Sequence, residues 1–219
     1  MRFSLKPFIP ICLLTLSFIF DRQIAILISK HRIESLTSLV FPFKELWPAY
    51  LFFVILSIYF LFKREERWLP VIWLSTTSAS LISEMLKILV SRPRPYEVLS
   101  IKPLTTHYAF SFPSGHMTLL FGIVALLWVP SLSQYKKIKL MKHIWLIYAL
   151  IVGFNRLYLN VHYLSDILAG VFLGYTVGYL WVMMQNNHTL EKNLFKKWWW
   201  LLAPLIFLAR TTLIGLTYK

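Results

Sequence analysis

The chain has 219 residues, of which 58% are hydrophobic, 17% aromatic and only 15% charged, whereas a soluble domain of this length carries roughly a quarter charged residues. Its net charge of +14 would suit nucleic acid or anionic lipid. The basic residues, however, stand in short gaps between apolar blocks, with no stripe or recognition motif around them, which argues against a nucleic-acid partner. The one cysteine, Cys12, excludes an intrachain disulfide.

In chain order, the N-terminal stretch MRFSLKPFIPICLLTLSFIF has the basic start and apolar run of a signal peptide. No small-x-small cleavage site follows; the run ends in Phe20, Asp21 and Arg22. It therefore reads as an uncleaved first membrane helix over 7–28. Further apolar runs cover 46–63, 68–90, 115–132, 143–160 and 164–184, close to the roughly 20 residues that a membrane helix needs. A shorter run at 198–216, interrupted by Arg210, reads as either a seventh span or an interfacial helix. Trp198, Trp199 and Trp200 would anchor it at the aromatic belt. No repeat, low-complexity tract or linker divides the sequence. The expected fold class is all-α: a polytopic membrane helix bundle of six core transmembrane helices, with 198–216 as an extra apolar segment. All of residues 1–219 form one integral-membrane domain in this reading.

Lysine and arginine in short loops set orientation. With the N-terminus inside, the inner segments hold Arg2, Lys6, Lys63, Arg64, Arg67, Lys136, Lys137, Lys139, Lys142, Lys192, Lys196 and Lys197. The first outer loop runs against the pattern, with Arg22, Lys30, Arg32 and Lys44.

Alternating spans bring three polar segments to one side of the bilayer: KILVSRPRP (87–95), PSGH (113–116) and NRLYLNVHYLSD (155–166). Ionisable groups beside membrane spans are costly, about 2.5–3.5 kcal/mol for a central Arg or Lys on insertion scales. Lys87, Arg94, His116, Arg156, His162 and Asp166 nevertheless collect at one level. Pro93 and Pro95 end the third helix and extend the chain around Arg94, so that Arg94 can lean back over the helix end towards Lys87. Taken alone, Lys87 could instead pair with Glu84, three residues earlier.

Ser114 is a suitable N-cap, and the free N–H groups of the next turn make a helix head that attracts anions; Gly115 permits close approach. His116 on that turn can donate a proton. His162 and Asp166, four residues apart, share a helix face, and an aspartate on one ring nitrogen leaves the other free as a nucleophile. Arg156 has no carboxylate neighbour in sequence, and its fork matches phosphate oxygens. Three cations, a helix-head anion site and two histidines suit phosphoryl transfer, where positioning and charge neutralisation do most of the catalysis. Two histidines and one aspartate could hold Zn²⁺, but three surrounding cations oppose a dication. A metal-free, cofactor-free site is expected.

The order K-x6-R-P, P-S-G-H and R-x5-H-x3-D, here Lys87 with Arg94 and Pro95, Pro113 to His116, and Arg156 with His162 and Asp166, resembles the type-2 phosphatidic acid phosphatase superfamily of membrane lipid phosphatases. The motif core covers 87–166. The resemblance implies a phosphohistidine mechanism in which His162 attacks phosphorus, Asp166 orients it and His116 protonates the leaving oxygen. Lys87, Arg94, Ser114, Gly115 and Arg156 would hold the phosphoryl oxygens. One departure is Asn155, where the family has serine; asparagine can still hydrogen-bond a phosphate oxygen, so tuning rather than loss of activity is expected.

The resemblance implies a lipid phosphate or pyrophosphate as substrate; the charge pattern puts the site at the outer face, and the compactness of the chain suggests a bacterial inner membrane. Undecaprenyl pyrophosphate, lipid A 1-phosphate, phosphatidylglycerol phosphate and phosphatidic acid are the candidates. The short segment YEVLSIKPLTTHYAF between the first two motifs suggests a small, open headgroup pocket. The competing readings are a phosphotransferase working between lipids with the same site, and a membrane transporter or binding protein. A transporter would spread polar residues along helix depth, whereas here they cluster at one end.

Overall fold

The computed structural model describes residues 8–132 and 135–187, and among these every regular element is helical. The order is α1 (Phe8–Lys30), α2 (Glu34–Val40), a 3₁₀ turn over Phe41–Lys44, α3 (Trp47–Phe62), α4 (Leu69–Val90), α5 (Pro95–Val98), α6 (Gly115–Leu127), α7 (Lys136–Tyr158) and α8 (Leu164–Asn186). Prolines in the first turns of α3 and α4, where a missing N–H costs nothing, help fix where these helices begin. α4 stops where Ser91 turns left-handed at φ 48°, its N–H bonded to the Lys87 carbonyl at 2.8 Å, and Pro93 prevents continuation.

Helices stand at all six expected positions. Cys12–Lys30, Lys136–Tyr158 and Leu164–Asn186 are each long and apolar enough to cross a membrane; Glu34–Lys44 with Trp47–Phe62, bent at 47°, would make a fourth span. α6 is apolar but only 13 residues long. α4 has the length, at 22 residues, but serines and threonines dilute its apolar character. The 198–216 segment lies outside the described residues.

Polarity runs inside out. Leu140, Ile144, Ile147, Leu150 and Phe154 form an exposed stripe along α7, with Ile147 59% exposed. Such an apolar face implies lipid rather than water around it. The interior instead holds Asp21, Ser75, Thr76, Ser83, Asn155, Arg156 and Asp166, all buried. Below them Phe53, Leu56, Phe60, Ile72, Leu120, Ile123, Trp145 and Val152 pack as the apolar core.

α6 and α8 run side by side in the same direction at backbone contact. A Cβ added at Gly170, Gly174 or Gly178 would stand 2.5, 2.1 or 2.3 Å from the carbonyl oxygens of Ser114, Thr118 and Gly122. No side chain fits there, so glycine at every fourth residue of α8 lets the two backbones meet. The Ser114 N–H also donates to the Asp166 carbonyl at 2.9 Å. The head of α6 is thereby fixed beside the head of α8, with the end of α4 across from both.

Candidate active site

The site lies where the end of α4, the head of α6 and the turn between α7 and α8 converge. The Lys87 ammonium pairs with Glu84 at 2.8 Å. It also flanks the head of α6, since a Cβ on Gly115 would stand 3.3 Å from its Nζ. Lys87 thus makes the Glu84 pair that its spacing allowed while standing beside the head of α6.

Ser114 occupies the N-cap position, but its hydroxyl makes no capping bond and is buried with no hydrogen-bond partner. Arg156 is fully buried on α7. Its Nη2 donates to the Phe43 carbonyl at 3.1 Å and to Asn155 Oδ1, whereas Nε and Nη1 have no acceptor. Unpaired buried donors are costly, which sets the open guanidinium edge and the open hydroxyl apart from the satisfied polar groups around them. Asn155 is bonded within the protein. Its amide donates to the Val40 carbonyl at 2.7 Å while its oxygen receives Arg156, so it steadies the arginine rather than reaching outward.

Arg94 is held by the backbone: its Nε, Nη1 and Nη2 donate to the carbonyls of Ala109, Val161 and Phe110 at 2.7, 2.7 and 3.4 Å. Free carbonyls in the irregular segments on either side draw the guanidinium in, and it ties the 109–110 loop to the turn that carries His162. A guanidinium has five N–H donors, so this leaves capacity to meet an anion. Burial lowers the Arg94 pKa, with Tyr96, Glu97, Asp166 and Glu84 acting the other way.

His162 is buried on the turn after α7, its Nδ1 2.7 Å from the Ser111 carbonyl and 3.6 Å from Asp166 Oδ2. A carbonyl can only accept, so Nδ1 carries the hydrogen and Nε2 keeps its lone pair. Burial, then the positive charges of Arg94, Lys87 and Arg156, hold this imidazole well below its ordinary pKa, and it stays neutral. His116, half-buried in the first turn of α6, lies 3.2 Å through Nε2 from the Lys44 carbonyl.

Asp166 is engaged mainly elsewhere. Its Oδ1 meets Arg92 Nη1 at 2.7 Å, and its Oδ2 receives the Tyr163 N–H at 2.8 Å. Arg92 also bonds Asp21 of α1 at 2.8 Å and the Ser165 hydroxyl at 2.6 Å, with its guanidinium 4.0 Å over the Tyr163 ring. The Ser165 N–H reaches Asp21 at 3.0 Å, and its hydroxyl bonds the same carboxylate. This Asp21–Arg92–Asp166 chain was not singled out from sequence. A carboxylate inside the first apolar run was the signal for Asp21.

His107 is another addition. Tyr96 clamps its backbone, and its Nε2 is buried without a partner. Burial first, then Arg94, Arg156, Lys87 and Lys44, push its pKa down to about 4. Two of the basic residues that broke the charge pattern of the first outer loop reach this region. Arg32 bonds Asn160 and the Lys102 carbonyl, and Lys44 supplies the carbonyl beside His116. Among the described residues no three His, Cys, Asp or Glu side chains gather in a metal-sized group.

The profile of the PAP2 superfamily matches residues 68–190. The undecaprenyl-diphosphatase of Sulfolobus acidocaldarius is 25% identical over 178 residues, 79% of this chain and 82% of that protein. Phosphatidylglycerophosphatase B of Bacillus subtilis is 35% identical over 104 residues, 46% of this chain and 49% of that protein. The crystal structure of a transmembrane PAP2-type phosphatidylglycerolphosphate phosphatase from Bacillus subtilis superposes with a TM-score of 0.63 at 22% identity. It covers 88% of this chain and 100% of that one, a likeness of fold.

Proposed function

The chain belongs to the PAP2 superfamily, and from that premise we propose that it is an integral-membrane lipid phosphatase that hydrolyses a phosphate monoester or pyrophosphate on a membrane lipid. In this reading six helices span a bacterial inner membrane and the site faces outward. Undecaprenyl pyrophosphate, phosphatidylglycerol phosphate, lipid A 1-phosphate and phosphatidic acid are the substrates to test. The names of the relatives support the first two.

The observation that carries the reading is the set of buried donors without acceptors. Arg156 Nε and Nη1 and the Ser114 hydroxyl lack partners at the head of α6, beside Lys87. A phosphoryl group would supply oxygens to all of them, and the helix head adds free N–H groups and a favourable dipole. His162 Nε2 attacks phosphorus and the ester or anhydride bond breaks. His116, charged as the imidazolium for this step with its Nε2–H on the Lys44 carbonyl, gives the departing oxygen its Nδ1 proton and becomes neutral. Neutral His116 then takes a proton from water, which attacks the phosphohistidine; inorganic phosphate leaves and His162 is restored. Arg94, Lys87 and Arg156 offset the charge that builds on the phosphoryl oxygens.

The experiment is phosphate release by the purified protein in mild detergent with EDTA, against the four lipids, with Arg156→Ala in parallel. Release from one lipid, lowered at least a hundredfold in the variant, supports the reading. Equal release by the variant removes Arg156 from the site.

A further inference from the structure

We propose that Ser83 is a further phosphate-contacting residue, its hydroxyl donating to a phosphoryl oxygen beside the Lys87 ammonium. This rests on the phosphatase reading above. A serine in an apolar helix ordinarily satisfies its hydroxyl on a carbonyl one turn back. On α4, Ser75 and Thr76 do so with Ile72 at 3.2 and 2.8 Å, and Ser78 with Leu74 at 2.6 Å. Ser83 does not. It is fully buried, and its Oγ has no hydrogen-bond partner.

Its position gives the reason. Ser83 and Lys87 are four residues apart and share a face of α4. A Cβ on Gly115 would stand 3.9 Å from Ser83 Oγ and 3.3 Å from Lys87 Nζ. The hydroxyl and the ammonium therefore flank the same point at the head of α6, where the Ser114 hydroxyl is also without a partner. A phosphoryl oxygen seated there offers the acceptor that the protein does not. The cradle then has three sides: Ser83 and Lys87 from α4, the Ser114–Gly115 head of α6, and Arg156 from α7. Ser83 lies outside the three sequence motifs and was invisible to spacing.

The test uses the full chain in detergent, with Ser83→Ala, Ser83→Cys and, as a control, Ser75→Ala. Inorganic phosphate and orthovanadate serve as competitive probes during lipid phosphate release, and a thermal unfolding midpoint is taken for each variant. Loss of a hydrogen bond to a charged group predicts inhibition by both anions weakened about tenfold or more in Ser83→Ala, with kcat/KM lowered alongside. Ser83→Cys, close in volume but a poor donor, shows the same loss if the alanine variant folds badly. Ser75→Ala keeps wild-type inhibition. Wild-type inhibition constants in the Ser83 variants overturn the proposal and make Ser83 a packing residue. If the wild-type protein releases no phosphate and binds neither anion, the phosphatase reading falls, and the Ser83 assignment falls with it.

Discussion

His162 Nδ1 lies 2.7 Å from the carbonyl oxygen of Ser111 and 3.6 Å from Oδ2 of Asp166. The backbone carbonyl, rather than the carboxylate, is the nearer acceptor, so it is enough to hold the proton on Nδ1. Asp166→Asn should therefore leave His162 in its nucleophilic tautomer and lower kcat by about 10- to 100-fold, as expected for a supporting group. His162→Ala should remove turnover altogether. Steady-state kinetics of the two variants decide this. Equal loss in both would make the carboxylate indispensable and the Ser111 carbonyl irrelevant.

Arg92 joins Asp21 of α1 to Asp166 of α8, and both carboxylates are buried. Removing one partner of a buried charge pair leaves the other uncompensated, at about 3–5 kcal/mol. Arg92→Gln should destabilise the protein on that scale and also lower kcat, because Asp166 loses its main anchor. The doubly neutral Arg92→Gln/Asp21→Asn variant should recover part of the stability. Thermal unfolding in detergent measures both, and additive losses in the double variant would contradict the coupling.

Gly174 and Gly122 face each other across α6 and α8 but are not equivalent. A Cβ on Gly174 meets the Thr118 carbonyl at 2.1 Å, whereas one on Gly122 stands 3.8 Å from the Gly174 carbonyl. Gly174→Ala should push the helices apart, cost about 1–3 kcal/mol, and separate Ser114 and His116 from His162. Gly122→Ala should be tolerated. Comparing unfolding midpoints and turnover for the pair tests this; a harmless Gly174→Ala would show that the helix contact does not hold the site.

Burial lowers the pKa of His107 to about 4 from an ordinary 6.5, and that of His162 in the same direction. The unfolded chain protonates such histidines near 6.5, but the native chain does so only at lower pH. The unfolded state thus binds more protons between those values, and stability falls as pH drops through that window. His107→Gln should flatten the fall of the unfolding midpoint between about pH 6.5 and 4. For the same reason the acid limb of kcat/KM, which reports the free enzyme, should lie below 6.5 because His162 stays neutral. An acid limb at or above 6.5 would mean that His162 is not held neutral by its surroundings.

The helices and the convergence of three polar segments were legible because each is a local pattern. Apolar runs mark the helices, prolines mark their ends, and alternation of spans brings Lys87, Ser114 and His162 to one level. What spacing does not encode is which acceptor a long side chain finds. Arg94 goes to the carbonyls of Ala109, Phe110 and Val161, and Asn155 to Val40, because irregular backbone nearby offers unpaired oxygens that no sequence pattern announces. Asp21 was readable as a carboxylate within an apolar run, but its partner Arg92 lies 71 residues away in sequence. The backbone contact of α6 with α8 was written in the four-residue spacing of Gly170, Gly174 and Gly178, a signal that only a partner helix makes meaningful.

The most direct measurement is base-quenched trapping of the enzyme-bound phosphoryl group with a ³²P-labelled lipid pyrophosphate, in detergent containing EDTA. The account predicts label on the wild-type chain that is stable to base and lost in acid, as for a phosphohistidine, and no label on His162→Ala. Phosphate release without a labelled wild-type intermediate, or label retained by His162→Ala, would contradict it.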